Sequence, residues 1–136
     1  MADDARLRFM DAYFDTLDDN KDWNTRLTVL LKRDDGSLVA QGESYGDEFK
    51  DHESLRLVTL GFVPPYINGI PITKGEMRGG TTEVIIEAKG DDTWRFDYRL
   101  DLIYDDTDEI PVVYKWVGNE LHSEDNSKVF KSFNLS

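Results

Sequence analysis

The stretch LIYDDTDEIP, which runs from Leu102 to Pro111, places Asp105, Asp106, Asp108 and Glu109 within five consecutive positions. Clustered carboxylates suit three tasks: they ligate a hard cation, solvate a turn, or offer negative charge to a basic partner. A calcium loop needs oxygen ligands at positions one, three and five, a glycine at six and a bidentate Glu at twelve. Counted from Asp105, position six is Ile110 and position twelve is Trp116. Counted from Asp18, Asn20 and Asp22 fit the third and fifth positions, but Trp23 and Val29 fall at the sixth and twelfth. No metal is expected at either stretch.

Other catalytic chemistries find no set of residues. The chain has no cysteine, and its two histidines, His52 and His122, stand seventy residues apart beside acids. That excludes thiolate nucleophiles, cysteine zinc sites and a histidine-rich ligand set. The Ser neighbours of these histidines, Ser54 and Ser123, sit in polar loop sequence without a nucleophile elbow. The glycines of Arg78–Gly80 do not form a phosphate loop. The expectation is a protein that is not an enzyme and that carries no cofactor.

Charge is the strongest compositional signal. Twenty-eight acidic residues against sixteen basic ones give a net charge of −12 in a chain of 136 residues. Such a field repels nucleic acid and anionic membranes and accelerates encounter with basic proteins. Three tryptophans, six tyrosines and seven phenylalanines supply a core, so the charge does not imply disorder. No apolar run approaches the ~20 residues of a membrane helix, and the start MADDARLRF lacks the apolar segment of a secretory signal. The expected location is the cytoplasm, and the expected organisation is one domain over residues 1–136.

The elements that position these residues follow from hydrophobic period. Phe9, Met10, Tyr13, Phe14 and Leu17 recur at helical spacing, which predicts an amphipathic helix over Asp3–Asp18. Arg26–Arg33 and Ser37–Ser44 flank Asp34-Asp35-Gly36, a hairpin signal. A strand is expected from Leu55 to Phe62, and Val63–Gly80, with three of the four prolines, is expected to be irregular. Within it Asn68-Gly69 marks a candidate turn. TTEVIIEAKGDDTWRFDYRLDL reads as a second hairpin with its tip at Lys89–Asp92. Trp94, Phe96, Tyr98, Leu100 and Leu102 alternate with Arg95, Asp97, Arg99 and Asp101, so one face is buried and the other wet. A last strand follows and ends near Gly118, and the tail from Ser127 reads as a short helix or an edge strand. The fold class expected is α+β, an antiparallel sheet of five to seven strands with the N-terminal helix packed on one face.

Phe96-Asp97-Tyr98, the acidic run Asp105–Glu109 and Tyr114-Lys115-Trp116-Val117-Gly118 together resemble the C-terminal part of YezG-like bacterial immunity proteins. The resemblance implies a cytoplasmic antitoxin that binds a cognate toxin domain, often a nuclease, and occludes its active site. On that reading Asp105, Asp106, Asp108 and Glu109 present phosphate-like charge to a basic partner, with Tyr104 and Tyr114 as aromatic anchors. The competing reading of the same stretch is a solvated acidic turn before Pro111. An alternative of another class comes from the start, LRFMDAYFDTLDDNKDW, which is similar to nuclear-transport-factor-like proteins. These are cone-shaped α+β domains that hold a small ligand, and some of them are enzymes.

Overall fold

A computed structural model describes residues 4–46, 48–66, 70–106, 111–124 and 127–135. The architecture is nearly all β. Strands β1 (Leu7–Thr16), β4 (Arg56–Thr59), β7 (Asp92–Tyr104) and β8 (Val112–Ser123) form one antiparallel sheet in the order β4-β1-β7-β8. Strands β2 (Arg26–Lys32), β3 (Leu38–Ser44), β5 (Gly61–Phe62), β6 (Thr81–Glu87) and β9 (Lys128–Asn134) form a second, in the order β5-β3-β2-β6-β9. The one helix among the described residues, α1 (Lys74–Met77), is a single turn held by a Thr73/Glu76 capping box. No helix among them is long and apolar enough to cross a membrane.

The α+β expectation is therefore wrong, and the N-terminal segment is the reason. Met10, Ala12, Phe14 and Thr16 are buried at alternate positions, which is the period of a strand. Ala12 is small and Thr16 polar, so the true inward set does not read as hydrophobic in the sequence. The helical stripe combined two faces: Phe9 is 61% exposed and Tyr13 is half-buried, both on the outer side. A register shift between Leu7 and Phe9 leaves Arg8 and Phe9 both exposed between buried Leu7 and Met10, which breaks the alternation at the start of the strand.

Two further boundaries moved. The β2–β3 hairpin forms as expected, with Gly36 at φ +88° in its turn. Thr81–Leu102 is not a hairpin, because β6 pairs with β2 and β9 whereas β7 pairs with β1 and β8. The alternation gave β7 its inward face correctly, but two inward faces also meet when the chain crosses from sheet to sheet. The crossing is pinned: Ala88 N donates to Ser123 Oγ at 3.0 Å, and buried Asp92 accepts from Asp22 N at 3.0 Å and Thr25 Oγ1 at 2.6 Å. The run Leu55–Phe62 likewise divides at buried Leu60, β4 joining one sheet and β5 the other.

The strand expected to end near Gly118 continues to Ser123. Val117 and Gly118 oppose Asp97 alone, Gly118 adopts φ +68°, and its N–H donates to Asp97 Oδ1 at 2.8 Å. The glycine serves a bulge in which only a residue without Cβ adopts this φ cheaply. The tail is an edge strand, one of its two expected forms. Asn68-Gly69 lies outside the described residues.

The two sheets share a core rich in aromatics. Phe14 stacks on Tyr98 at 5.0 Å and lies 5.1 Å from Trp94 and 5.8 Å from Phe96. Tyr98 joins the sheets by a hydrogen bond as well. Thr82 Oγ1 donates to the Leu30 carbonyl at 2.8 Å, so the 2.7 Å contact between Thr82 and Tyr98 has the phenol as donor. Burial pushes that phenol far above its usual titration range, and the Thr82 bond pulls it only partly back.

The strand assignment of residues 7–16 has a direct test by urea denaturation. Ala12→Asp puts a charge at a fully buried site and is expected to abolish folding, whereas Phe9→Ser should change stability by only about 0.5 kcal/mol. Phe14→Ala should cost about 3–5 kcal/mol. A helical segment with its apolar stripe buried would reverse the order of the first two.

Candidate functional site

The residues expected to bind a partner do not form one exposed cluster. Asp108 and Glu109 lie outside the described residues. Tyr104 is 1% exposed, with the Lys74 ammonium 5.0 Å from its ring centroid, so it is a core residue and not a surface anchor. Burial pushes its phenol upward, and so does nearby Tyr114. Tyr114 is half-buried and lies parallel to Trp116 at 6.0 Å.

The first two acids of the run serve the fold. Asp105 exchanges two bonds with the N-terminal strand: its N–H donates to the Arg6 carbonyl at 2.9 Å, and its Oδ1 accepts from Arg6 N at 2.7 Å. Asp106 pairs with Lys74 at 2.7 Å, and this bond holds its carboxyl below the usual range. The Lys74–Asp106 pair fastens the end of β7 to the helical turn. Leu7 N also donates to the Ile72 carbonyl at 2.8 Å, and the far end of segment 70–80 is tied by Leu135 N, which donates to the Gly80 carbonyl at 3.0 Å.

The Asp18–Asp22 stretch is built around a lysine. Lys21 is fully buried, its Nζ donates to the carbonyls of Thr25 at 3.0 Å and Asp22 at 3.2 Å, and it sits 4.6 Å over the Phe49 ring. A side-chain ammonium gathers these backbone oxygens. Asp18 and Asp19 turn outward to Arg95, at 3.3 and 3.2 Å, and Glu120 joins the same guanidinium at 2.7 Å. Among the described residues no group of three His, Asp or Glu side chains could hold a metal ion.

A different surface collects the groups that recognition needs: the outer face of the four-stranded sheet. Register places Leu57, Tyr13, Arg99 and Lys115 in one row across β4, β1, β7 and β8. The adjacent row holds Thr59, Asp11, Asp101 and Val113, and Asp15 faces Asp97 on the other side. Nine large hydrophobic side chains are exposed among the described residues, and five of them lie on this face: Phe9, Leu55, Leu57, Val113 and Val117.

At its centre Arg99 makes two hydrogen bonds to Asp101, at 2.8 and 2.7 Å, and rests 5.0 Å over the Tyr13 ring. Asp15 accepts from Leu55 N at 2.7 Å. A depression of about 50 Å³ lies between Tyr13, Asp15, Asp97 and Arg99, which is room for a water or two and not for a substrate. Asp11, Asp15, Asp97 and Asp101 thus stand around Arg99 and Lys115 on a largely flat face with an apolar periphery, and Arg95 further along it is held by Asp18, Asp19 and Glu120. Sequence reasoning had read the Arg95–Asp101 alternation as the wet side of the sheet; Phe9, Leu57 and Val117 joined it only once the strand order was known.

Protein-family models, curated proteins and solved structures were all compared with the chain, and none matches.

The structural role of Asp106 is testable through pH. Its carboxyl titrates below the unfolded value of ~3.9, so its contribution is present above that value and is lost as the pH falls through the folded one. Asp106→Asn should therefore lower the denaturation midpoint at pH 7 and lose that effect in strong acid, where both proteins carry a neutral group. An equal deficit at both pH values would show that the ion pair is not the cause.

Proposed function

We propose that the chain binds a basic protein partner through the outer face of the four-stranded sheet and neutralises it. This is the role of the antitoxins that its C-terminal half resembles. The partner would be a toxin domain whose basic surface holds phosphates, as in a nuclease. The role is stoichiometric, in the cytoplasm, with no turnover, metal or cofactor.

The observation that carries this reading is the gathering of five exposed apolar side chains with Asp11, Asp15 and Asp97 on one sheet face. Scattered exposed hydrophobics are normal, but five of them rimming one charged sheet face fit a docking surface. The net charge of −12 supplies the long-range attraction. The rings of Trp94, Phe96 and Tyr98 are packed against Phe14 and one another, with Trp94 and Phe96 4.1 Å apart. A filled core favours a binding surface over an internal ligand chamber. The helix that a nuclear-transport-factor-like cone would lay across its sheet is strand β1.

The acidic run Asp105–Glu109 keeps a secondary place in this proposal. The docking charge is assigned to Asp11, Asp15 and Asp97 because they share the sheet face with the exposed apolar side chains; Asp15 and Asp97 each also accept one backbone N–H, which leaves their charge in place.

The test uses the partner recovered by co-purification from the native cell. Asp11→Asn, Asp15→Asn and Asp97→Asn together should slow association about tenfold at low salt. The difference should shrink as salt shortens the Debye length toward ~8 Å. Leu57→Ser and Val117→Ser should instead raise the dissociation rate. Wild-type rates for both sets would remove this face from the interface.

A further inference from the structure

The outer face of the other sheet differs in chemistry. Across β3, β2, β6 and β9, register sets Glu43, Thr28, Ile85 and Phe130 in one row and Gln41, Leu30, Glu83 and Ser132 in the next. Thr28, Leu30 and Ile85 floor an open trough of about 440 Å³ between longer charged side chains. Arg26, Glu43, Glu87 and Lys128 wall it, with Arg26 and Glu43 paired at 3.1 Å. A second hollow of about 230 Å³ adjoins at Arg26 and Glu87, and Asn24, Tyr45 and Lys89 complete its lining.

Aromatic rings mark the two ends of this face. Tyr45 is 47% exposed with the Arg26 guanidinium 5.0 Å over its ring, and Phe130 is 62% exposed beside Ile85 on the edge strand. Trp23, 61% exposed, precedes Asn24 of the second hollow, and its carbonyl accepts from Gly46 N at 2.9 Å. The exposed large side chains here are aromatic, whereas those of the opposite sheet are mainly aliphatic.

Charge separates the faces further. On this sheet Arg26, Lys32 and Lys128 balance Glu43, Glu83 and Glu87, with Lys32 and Glu83 paired at 2.8 Å. A balanced face within a chain of net charge −12 neither attracts a basic protein nor suits a polyanion. It offers donors and acceptors side by side, an apolar floor, and flat rings at the ends.

From this juxtaposition we propose that the trough binds a neutral saccharide chain. Sugar hydroxyls both donate and accept, which matches guanidinium and ammonium groups alternating with carboxylates. The C–H faces of a hexose are apolar and suit Tyr45, Phe130 and the Thr28–Leu30–Ile85 floor. The volume falls within the ~300–1,000 Å³ of small-molecule sites, and its open form fits a segment of a longer chain. The site stands on the sheet opposite the proposed protein-docking face, so it is independent of that reading.

The test is affinity electrophoresis of the full chain through gels containing neutral polysaccharides: an amylose, a soluble cellulose derivative, a xylan and a galactomannan. Polygalacturonate serves as the acidic comparison. Calorimetry with hexasaccharides of the retarding polymer then gives affinities. At least one neutral polymer is expected to retard the protein. Tyr45→Ala and Phe130→Ala should each weaken binding about three- to tenfold, while Val117→Ser on the opposite sheet should leave it unchanged. All three positions are exposed, and circular dichroism checks that the variants fold. The proposal is overturned if no neutral polymer retards the chain, if polygalacturonate alone does, or if both ring deletions bind as wild type.

Discussion

The contact between Phe14 and Tyr98 organises this molecule. Phe14 lies parallel to Tyr98 at 5.0 Å while also touching Phe49, Trp94 and Phe96. Tyr98 reaches on to Phe133 and Trp116 at 5.4 and 5.3 Å and hydrogen-bonds Thr82 in the facing sheet. One stacked pair thereby fixes the spacing of β1 and β7, and its phenol fixes how the second sheet sits against the first. Buried aromatics supply large apolar areas and tolerate few geometries. A polar tip that must find a partner narrows the choice further.

That centre explains why some of the fold was legible in the sequence and some was not. The inward set Trp94, Phe96, Tyr98, Leu100 and Leu102 was read correctly because each member is large and apolar. The same alternation in β1 was hidden, since Ala12 and Thr16 occupy inward positions and Phe9 and Tyr13 outward ones. Gly118 looked like an end because glycine often stops a strand, yet here it relieves a bulge. Sheet membership of β6 and β7 was beyond a local reading. Period two specifies a face, and the partner across that face comes from strands far away in the chain.

The candidate sites divide in the same manner. Asp105 and Asp106 drew notice because they are adjacent in sequence, and in the fold they anchor the end of β7 to Arg6 and Lys74. The docking surface assembles Leu57, Tyr13, Arg99 and Lys115 from four strands and could be seen only in register. The negative charge is likewise uneven. It accumulates around Asp11, Asp15 and Asp97 on one sheet, and the outer face of the other is balanced.

The strand order also bears on how the chain acquires its shape during synthesis. The first strand sits between β4 and β7, so its position within the sheet is complete only after residue 104 has been made. The second sheet similarly adds β6 and β9 to the early β2–β3 hairpin. Pairings between distant segments are slow because the intervening loop must close before the contact is rewarded. On a ribosome, β1 would wait for its β7 neighbour until residue 104 has been made. Its inward residues are short or polar at two of five places, Ala12 and Thr16, which leaves the nascent segment less adhesive than its central position would suggest.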